Sequence, residues 1–298
     1  MKIIDCHHLF GSDLWLSENK SELACKNDYN QLKKQMDSIA DDWKTFILPF
    51  PSSKNNKYLY ENQMIKNAAI LDDKILPVFA LNTYFDECYN QVGMLLSETA
   101  YPNIVLWPIL CEIDLIELSK NNKFIKFCEK HNPLVTIHVA AGNESDIGRI
   151  SELKRYCASD AVYLATQLPH IKFNLSHVLR LSMNALEKAA ELTNIVLDTS
   201  GISSHNLWYE KGQNVFPSKD SSDFKYCSHE EVITILVKKY ELGSKLVFGS
   251  SYPFNSWWGF NLKSELDMIN RSDLSDEEKL NIMFRNIYDF AFRGKKYE

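Results

Sequence analysis

The chain has 298 residues, long for an ordinary single domain but usual for one α/β barrel. Hydrophobic residues make up 45% and charged residues 24%, the balance of a globular protein, and the net charge of −6 argues against a nucleic-acid partner, whose binding needs clustered Lys and Arg. No run approaches the ~18 apolar residues of a membrane helix, and the opening Met1-Lys2-Ile3-Ile4-Asp5 reaches a charge too soon for a signal peptide. The 7 Cys are odd in number and scattered without a Cys-x-x-Cys pair, which points to reduced thiols and a cytoplasmic location.

Short apolar runs alternate with longer amphipathic stretches along the whole chain. The expected strands are 2–9, 45–50, 75–81, 103–109, 134–139, 171–177, 195–199 and 245–249, rich in Val, Ile, Leu and Phe as parallel strands buried on both faces should be. Among the intervening helices, 114–129 carries an apolar stripe of Ile116, Leu118, Phe124, Ile125 and Cys128. Ser182 is placed to cap a helix over 182–192, and Ser275-Asp276-Glu277-Glu278 fits a capping box. The pattern suits either a closed barrel or a doubly wound sheet. Neither Gly-x-Gly-x-x-Gly nor Gly-x-x-x-x-Gly-Lys-Ser/Thr follows a strand, so nucleotide-binding versions have no support. No Pro/Gly-rich linker divides the chain, so a single domain over 1–298 is expected, with the polar, aromatic segment 203–228 as a loop over the barrel mouth.

Polar residues recur where strands end: His7 on the first, His138 on the fifth, His177 on the sixth, Asp198 on the seventh and Ser251 just past the eighth. In a barrel these ends converge on one mouth. One histidine at a strand end is more often structural, but three at equivalent ends favour a site. Ile4-Asp5-Cys6-His7-His8-Leu9 resembles the Asp-x-His-x-His opening of the amidohydrolase-2 family, and Thr136-Ile137-His138 and Asn174-Leu175-Ser176-His177 are similar to its fifth- and sixth-strand histidine segments. Leu197-Asp198-Thr199, Phe248-Gly249-Ser250-Ser251-Tyr252-Pro253 and Arg285-Asn286-Ile287 continue the resemblance in order to the end of the chain.

The resemblance implies a single (β/α)8 TIM barrel, a hydrolase or decarboxylase of small molecules and a divalent metal, zinc first. It implies His7 and His138 as metal ligands and His177 as an assisting histidine. Apart from the resemblance, the strand ends themselves give a first reading, a metal site on a three-histidine face of His7, His138 and His177. The family's second histidine falls on Leu9 and its aspartate on Ser251, so the metal is expected to be weakly held or lost. Asp198 then stands as the nearest candidate general base, against a purely orienting role. Ser251 with His177 and Asp198 offers a metal-free serine mechanism, although Gly249-Ser250-Ser251 is no Gly-x-Ser-x-Gly elbow. The alternative is an inactive barrel that binds a small molecule or partner, with Tyr252, Phe254, Trp257, Trp258, Trp208 and Tyr209 lining a pocket. His8 should point away from His7 unless a bulge intervenes, and Cys6 should be buried. His131, His170, His205 and His229 are read as structural or surface positions. Barrels of this kind often pair through their outer helices, so a homo-oligomer is open.

Overall fold

The computed structural model describes residues 1–12, 26–52, 55–139, 158–204, 222–254, 256 and 259–292. Strand β1 (Lys2–Ser12) opens the chain, and the two-residue β2 (Lys26–Asn27) folds back antiparallel on its end. Strand β3 (Asp42–Pro49) lies parallel to β1. Next come β4 (Ile75–Pro77) and β5 (Phe79–Ala80), one stave broken at Val78, whose N–H still donates to Ile47 O at 3.0 Å. Strands β6 (Asn103–Leu106), β7 (Leu134–Ile137), β8 (Lys172–Leu175), β9 (Ile195–Asp198) and β10 (Leu246–Val247) follow, each parallel to its predecessor.

The seam between β10 and β1 closes the ring. Cys6 N donates to Phe248 O at 2.8 Å, Ser251 N to His7 O at 2.7 Å and Leu9 N to Tyr252 O at 2.8 Å. With β4 and β5 counted as one stave and β2 as an appendage, the eight parallel staves form a (β/α)8 barrel. Its strands run without alternation because both faces are covered: β6, β7 and β9 are buried at every residue. Each fully buried Leu, Ile, Val or Phe in these staves stabilises the fold by about 1.5–3 kcal/mol.

Local chemistry sets where the elements stop. Pro108 starts a short helix (Pro108–Cys111) and so ends the strand expected over 103–109 at Leu106. The helix expected over 114–129 is two, Leu115–Leu118 and Asn122–His131. Its pattern was continuous, but Asn121 accepts from Lys123 N and Phe124 N and restarts the chain as an N-cap. Ser182 caps Met183–Glu191, and Ser275 and Glu278 form the expected capping box. Near the C-terminus Asn286 Nδ2 donates to Gly243 O at 2.7 Å and Leu246 O at 2.8 Å, tying the last helix (Asn286–Ala291) beneath β10. Among the described residues no helix is long and apolar enough to cross a membrane. Cys6, Cys88, Cys111, Cys128 and Cys227 are free thiols, while Cys25 and Cys157 lie outside the described residues.

Candidate metal centre

Three imidazoles meet at the barrel mouth. His7, His138 and His177 each offer a ring nitrogen, and these atoms lie within 4.8 Å of one another. The ring centroids are 5.7 Å apart for His7 and His138, 5.2 Å for His7 and His177, and 4.8 Å for His138 and His177. His7 and His177 are buried, and His138 is partly buried.

Two of the rings are fixed by bonds on their far side. His7 Nδ1 lies 3.2 Å from Asp198 Oδ2, so Nδ1 carries the proton and Nε2 is left as an acceptor. Nε2 is buried and has no hydrogen-bond partner in the protein. His177 Nδ1 lies 2.8 Å from the carbonyl oxygen of Ser200, which can only accept, and this again leaves Nε2 as the bare nitrogen. That atom faces His138 Nε2 at 3.1 Å. Two nitrogens bound to one zinc at ~2.0–2.1 Å sit roughly 3–3.4 Å apart. The donor set therefore fits a divalent cation: three imidazoles, two with their tautomers set, one with an orphaned ligand atom.

Asp198 holds this arrangement. Its Oδ2 accepts from His7 Nδ1 and from Asn174 Nδ2 at 3.0 Å. Its Oδ1 accepts from His177 N at 3.1 Å, Ser200 N at 3.2 Å and the Ser200 hydroxyl. Burial pushes its carboxyl up, but the charge and hydrogen bond of His7, then His177 and Ser200, outweigh burial and hold it at about 2. All five donors are spent on a carboxylate that is fully buried, so its position suits orientation of His7 and not proton abstraction from a substrate. Gly249 makes room for the pair: a Cβ there would stand 3.1 Å from the Cβ atoms of both Asp198 and His7.

His177 does not end strand β8, as the sequence pattern implied. It begins a turn in which His177, Val178, Leu179, Arg180 and Leu181 all have positive φ, from 44° to 57°. Left-handed backbone costs roughly 1–2 kcal/mol per L-residue, and a β-branched residue such as Val178 is rare there. Val178, Leu179 and Leu181 are fully buried, and that burial offsets the strain.

The structure separates the remaining candidates from the three rings. A bulge does intervene in β1, since its register against β3 shifts between Asp5 and His8. It carries His8 into a different buried network, with Nδ1 2.9 Å from Asp5 Oδ2 and Nε2 2.9 Å from Asn27 Nδ2. Cys6 and Leu9 are buried. Ser251 sits at φ 52° with its N–H on His7 O. His177 gives its two ring nitrogens to Ser200 and His138, so no described contact builds a Ser251–His177–Asp198 relay. Tyr252 and Phe254 pack against the core, whereas Trp208, Tyr209, Trp257, Trp258 and His205 lie outside the described residues. His131, His170 and His229 contact Phe127, Glu129 and Phe260, and none of them joins the three-imidazole group.

Sequence reasoning missed Asn174, Ser200, Trp107 and Arg180. Two carried a signal: Asn174 interrupts Phe173 and Leu175 in a strand, and Arg180 sits inside the apolar run from Val178 to Leu181. A polar residue within a buried run asks for a partner.

Burial lowers the pKa of His138 and His177 well below the ordinary 6.5, with neighbouring His7, His138 and Arg180 adding to the effect. The sign follows from linkage. Below pH 6.5 the unfolded chain takes up protons that the folded metal-free state refuses, so stability falls with acidification by up to about 1.4 kcal/mol per group per pH unit. Asp198 acts in a lower window, its contribution being present above 3.8 and lost as pH falls toward 2. Thermal unfolding of the metal-free protein should give a Tm that is level between about pH 7 and 8 and declines below 6.5. A Tm unchanged from pH 7.5 to 5.5 would contradict this.

No family model matches the sequence, and no curated protein does. Solved structures match in fold. An amidohydrolase from Burkholderia multivorans is 13% identical, with a TM-score of 0.69 over 98% of this chain and 99% of that one. A probable 2-pyrone-4,6-dicarboxylic acid hydrolase from Acinetobacter baumannii, with citric acid bound, is 15% identical, with a TM-score of 0.66 over 97% and 99%. A dihydroxybenzoic acid decarboxylase from Polaromonas, with bound manganese and the inhibitor 2-nitroresorcinol, is 10% identical, with a TM-score of 0.64 over 99% and 98%. At such identities the likeness establishes the architecture, the barrel of the amidohydrolases and related decarboxylases.

Proposed function

We propose that this chain is a metal-dependent enzyme of the amidohydrolase-2 type, one domain holding one divalent cation on His7, His138 and His177, that hydrolyses or decarboxylates a small molecule. The observation that carries the reading is His7 Nε2: a buried acceptor with no partner, held by Asp198 toward two further imidazole nitrogens. A buried polar atom left bare costs about 1–3 kcal/mol, and a cation supplies the missing partner. Carboxylate, histidine and metal in series is a recurrent way of fixing ring orientation and raising ligand basicity. Zinc is the first choice for an all-imidazole face.

When bound, such a cation polarises a substrate oxygen and brings the pKa of water toward ~7. The protein's own contribution is positional. Asp198 fixes the His7 tautomer, the Ser200 carbonyl fixes that of His177, and Trp107 packs on His138 with ring centroids 4.5 Å apart. The ligand set is rebuilt relative to the family pattern, with His177 joining His7 and His138 where Leu9 and Ser251 replace a histidine and an aspartate.

A second reading, a barrel that binds a small molecule without turning it over, draws on one observation. Among the described residues no carboxylate joins the three imidazoles in the metal-ready group, and Asp198 has no oxygen to spare. The reduced thiols fit a cytoplasmic protein. The test is the metal content of purified protein by plasma mass spectrometry, before and after incubation with zinc or manganese, followed by a turnover screen of esters, amides, lactones and aromatic carboxylates. About one metal per chain is expected. No retained metal overturns the enzyme reading, and metal without turnover favours the binding barrel.

A further inference from the structure

The helix Leu262–Arg271 has a buried face of Leu262, Leu266, Met268 and Ile269, and Glu265 lies within it, fully buried. A carboxylate is almost never placed so unless it is paired, and taking one out of water without good partners destabilises a fold. The pairing here is with Ser203. Glu265 Oε1 accepts from the Ser203 hydroxyl, and Oε2 accepts from Ser203 N at 3.4 Å.

Ser203 belongs to the segment that fixes His177. Past β9 the chain runs Thr199-Ser200-Gly201-Ile202-Ser203, with Ile202 N donating to Thr199 O at 3.2 Å. The two serines are held alike. Ser200 gives its N–H and hydroxyl to Asp198 Oδ1, and Ser203 gives its N–H and hydroxyl to Glu265. Between these anchors stands the Ser200 carbonyl, which accepts the His177 Nδ1 proton at 2.8 Å. Ser200 Oγ lies 2.9 Å from the same nitrogen and, with its own proton on Asp198, only accepts there. The carbonyl turns with the peptide plane it shares with Gly201. Gly201 is at φ 77°, and glycine restrains that plane less than any other residue. The hold at Ser203, just beyond it, supplies the restraint.

We propose that Glu265 is a positioning residue for the three-imidazole centre: through Ser203 it fixes the Ser200 carbonyl and keeps His177 in the tautomer that leaves Nε2 bare. Its hold on the ring stands without a metal; its effect on metal affinity rests on the three-histidine reading. Without this anchor the carbonyl turns away, and His177 moves its proton from Nδ1 to Nε2, which faces His138 Nε2 at 3.1 Å. A protonated ring nitrogen is no ligand. His7 is not affected, because its Nδ1 bonds Asp198 Oδ2 and not this segment.

The test uses full-length, metal-free protein labelled with nitrogen-15 at histidine, in which ring nitrogen shifts report where each imidazole carries its proton. The His7 and His177 signals are identified by their loss in His7→Gln and His177→Gln. Glu265→Ala should move part of the His177 proton to Nε2, leave the His7 pattern as in wild type, and lower zinc affinity in a chelator competition about tenfold or more. Glu265→Gln should restore both readouts, because its amide meets both Ser203 groups once the hydroxyl turns to accept. Ser203→Ala keeps the backbone bond and should fall between, and it decides the matter if Glu265→Ala does not fold. An unchanged His177 pattern in the folded variant overturns the assignment. So does a His7 pattern that changes with it, the mark of general loosening. Wild-type protein that retains no zinc, with the His177 change present in the variants, keeps the assignment and loses the metal reading. Zinc retained with no His177 change does the reverse.

Discussion

Asp198→Asn is expected to lower zinc affinity about 10–100-fold and to cost the metal-free fold about 3–5 kcal/mol. The substitution keeps the shape of the side chain and replaces one acceptor oxygen by a donor. If the new NH2 group faces His7 and Asn174, two donors meet a third, and His7 relieves the conflict only by moving its proton to Nε2. Nε2 is the ligand atom, and a protonated imidazole nitrogen cannot bind a metal. If the NH2 group faces the other way, His177 N, Ser200 N and the Ser200 hydroxyl lose their acceptor, and the turn that carries His177 loses its anchor. Either orientation damages one of the three ligands. A chelator competition would read the affinity, and thermal unfolding of the metal-free variant should show a Tm lower by on the order of 10 °C. Wild-type zinc affinity in Asp198→Asn would remove this carboxylate from the account of the site.

The barrel was legible in the sequence because its evidence is periodic and local. Runs such as Ile3-Ile4 and Val196-Leu197 need two covered faces, and Ser182 and Ser275 announce the helices they cap. The convergence of His7, His138 and His177 followed from strand ends alone, since every parallel stave opens on the same mouth. Asp198 carried no sign of its five donors, because they come from positions between 2 and 191 residues away. The turn at His177 was equally hidden. No Gly or Asn marks positions 177–181, and the left-handed backbone there is held by burial of Val178, Leu179 and Leu181. The bulge that diverts His8 has no sequence marker either, yet it decides which of two adjacent histidines reaches the cluster.

That bulge leads to the other large effect. Asp5→Ala should cost at least about 3 kcal/mol, lowering the Tm by on the order of 10 °C, while the protein at low temperature still takes up about one metal per chain. Asp5 is fully buried and works the barrel seam, with no hydrogen bond to an imidazole nitrogen of the cluster among its described contacts. Its Oδ1 accepts from His7 N at 3.1 Å and Ser250 N at 2.9 Å. Its Oδ2 accepts from the Ser250 hydroxyl at 2.6 Å and stands 2.9 Å from His8 Nδ1, which donates because Nε2 is taken by Asn27. Truncation to Ala strands these donors in the interior and loosens the closure of β10 on β1. None of the lost bonds sets the tautomer of a cluster histidine, so stability and metal binding should come apart: Asp198→Asn strikes both, Asp5→Ala the first alone. Loss of metal from Asp5→Ala at a temperature where it remains folded would mean that the seam, and not Asp198, governs where the His7 ring points.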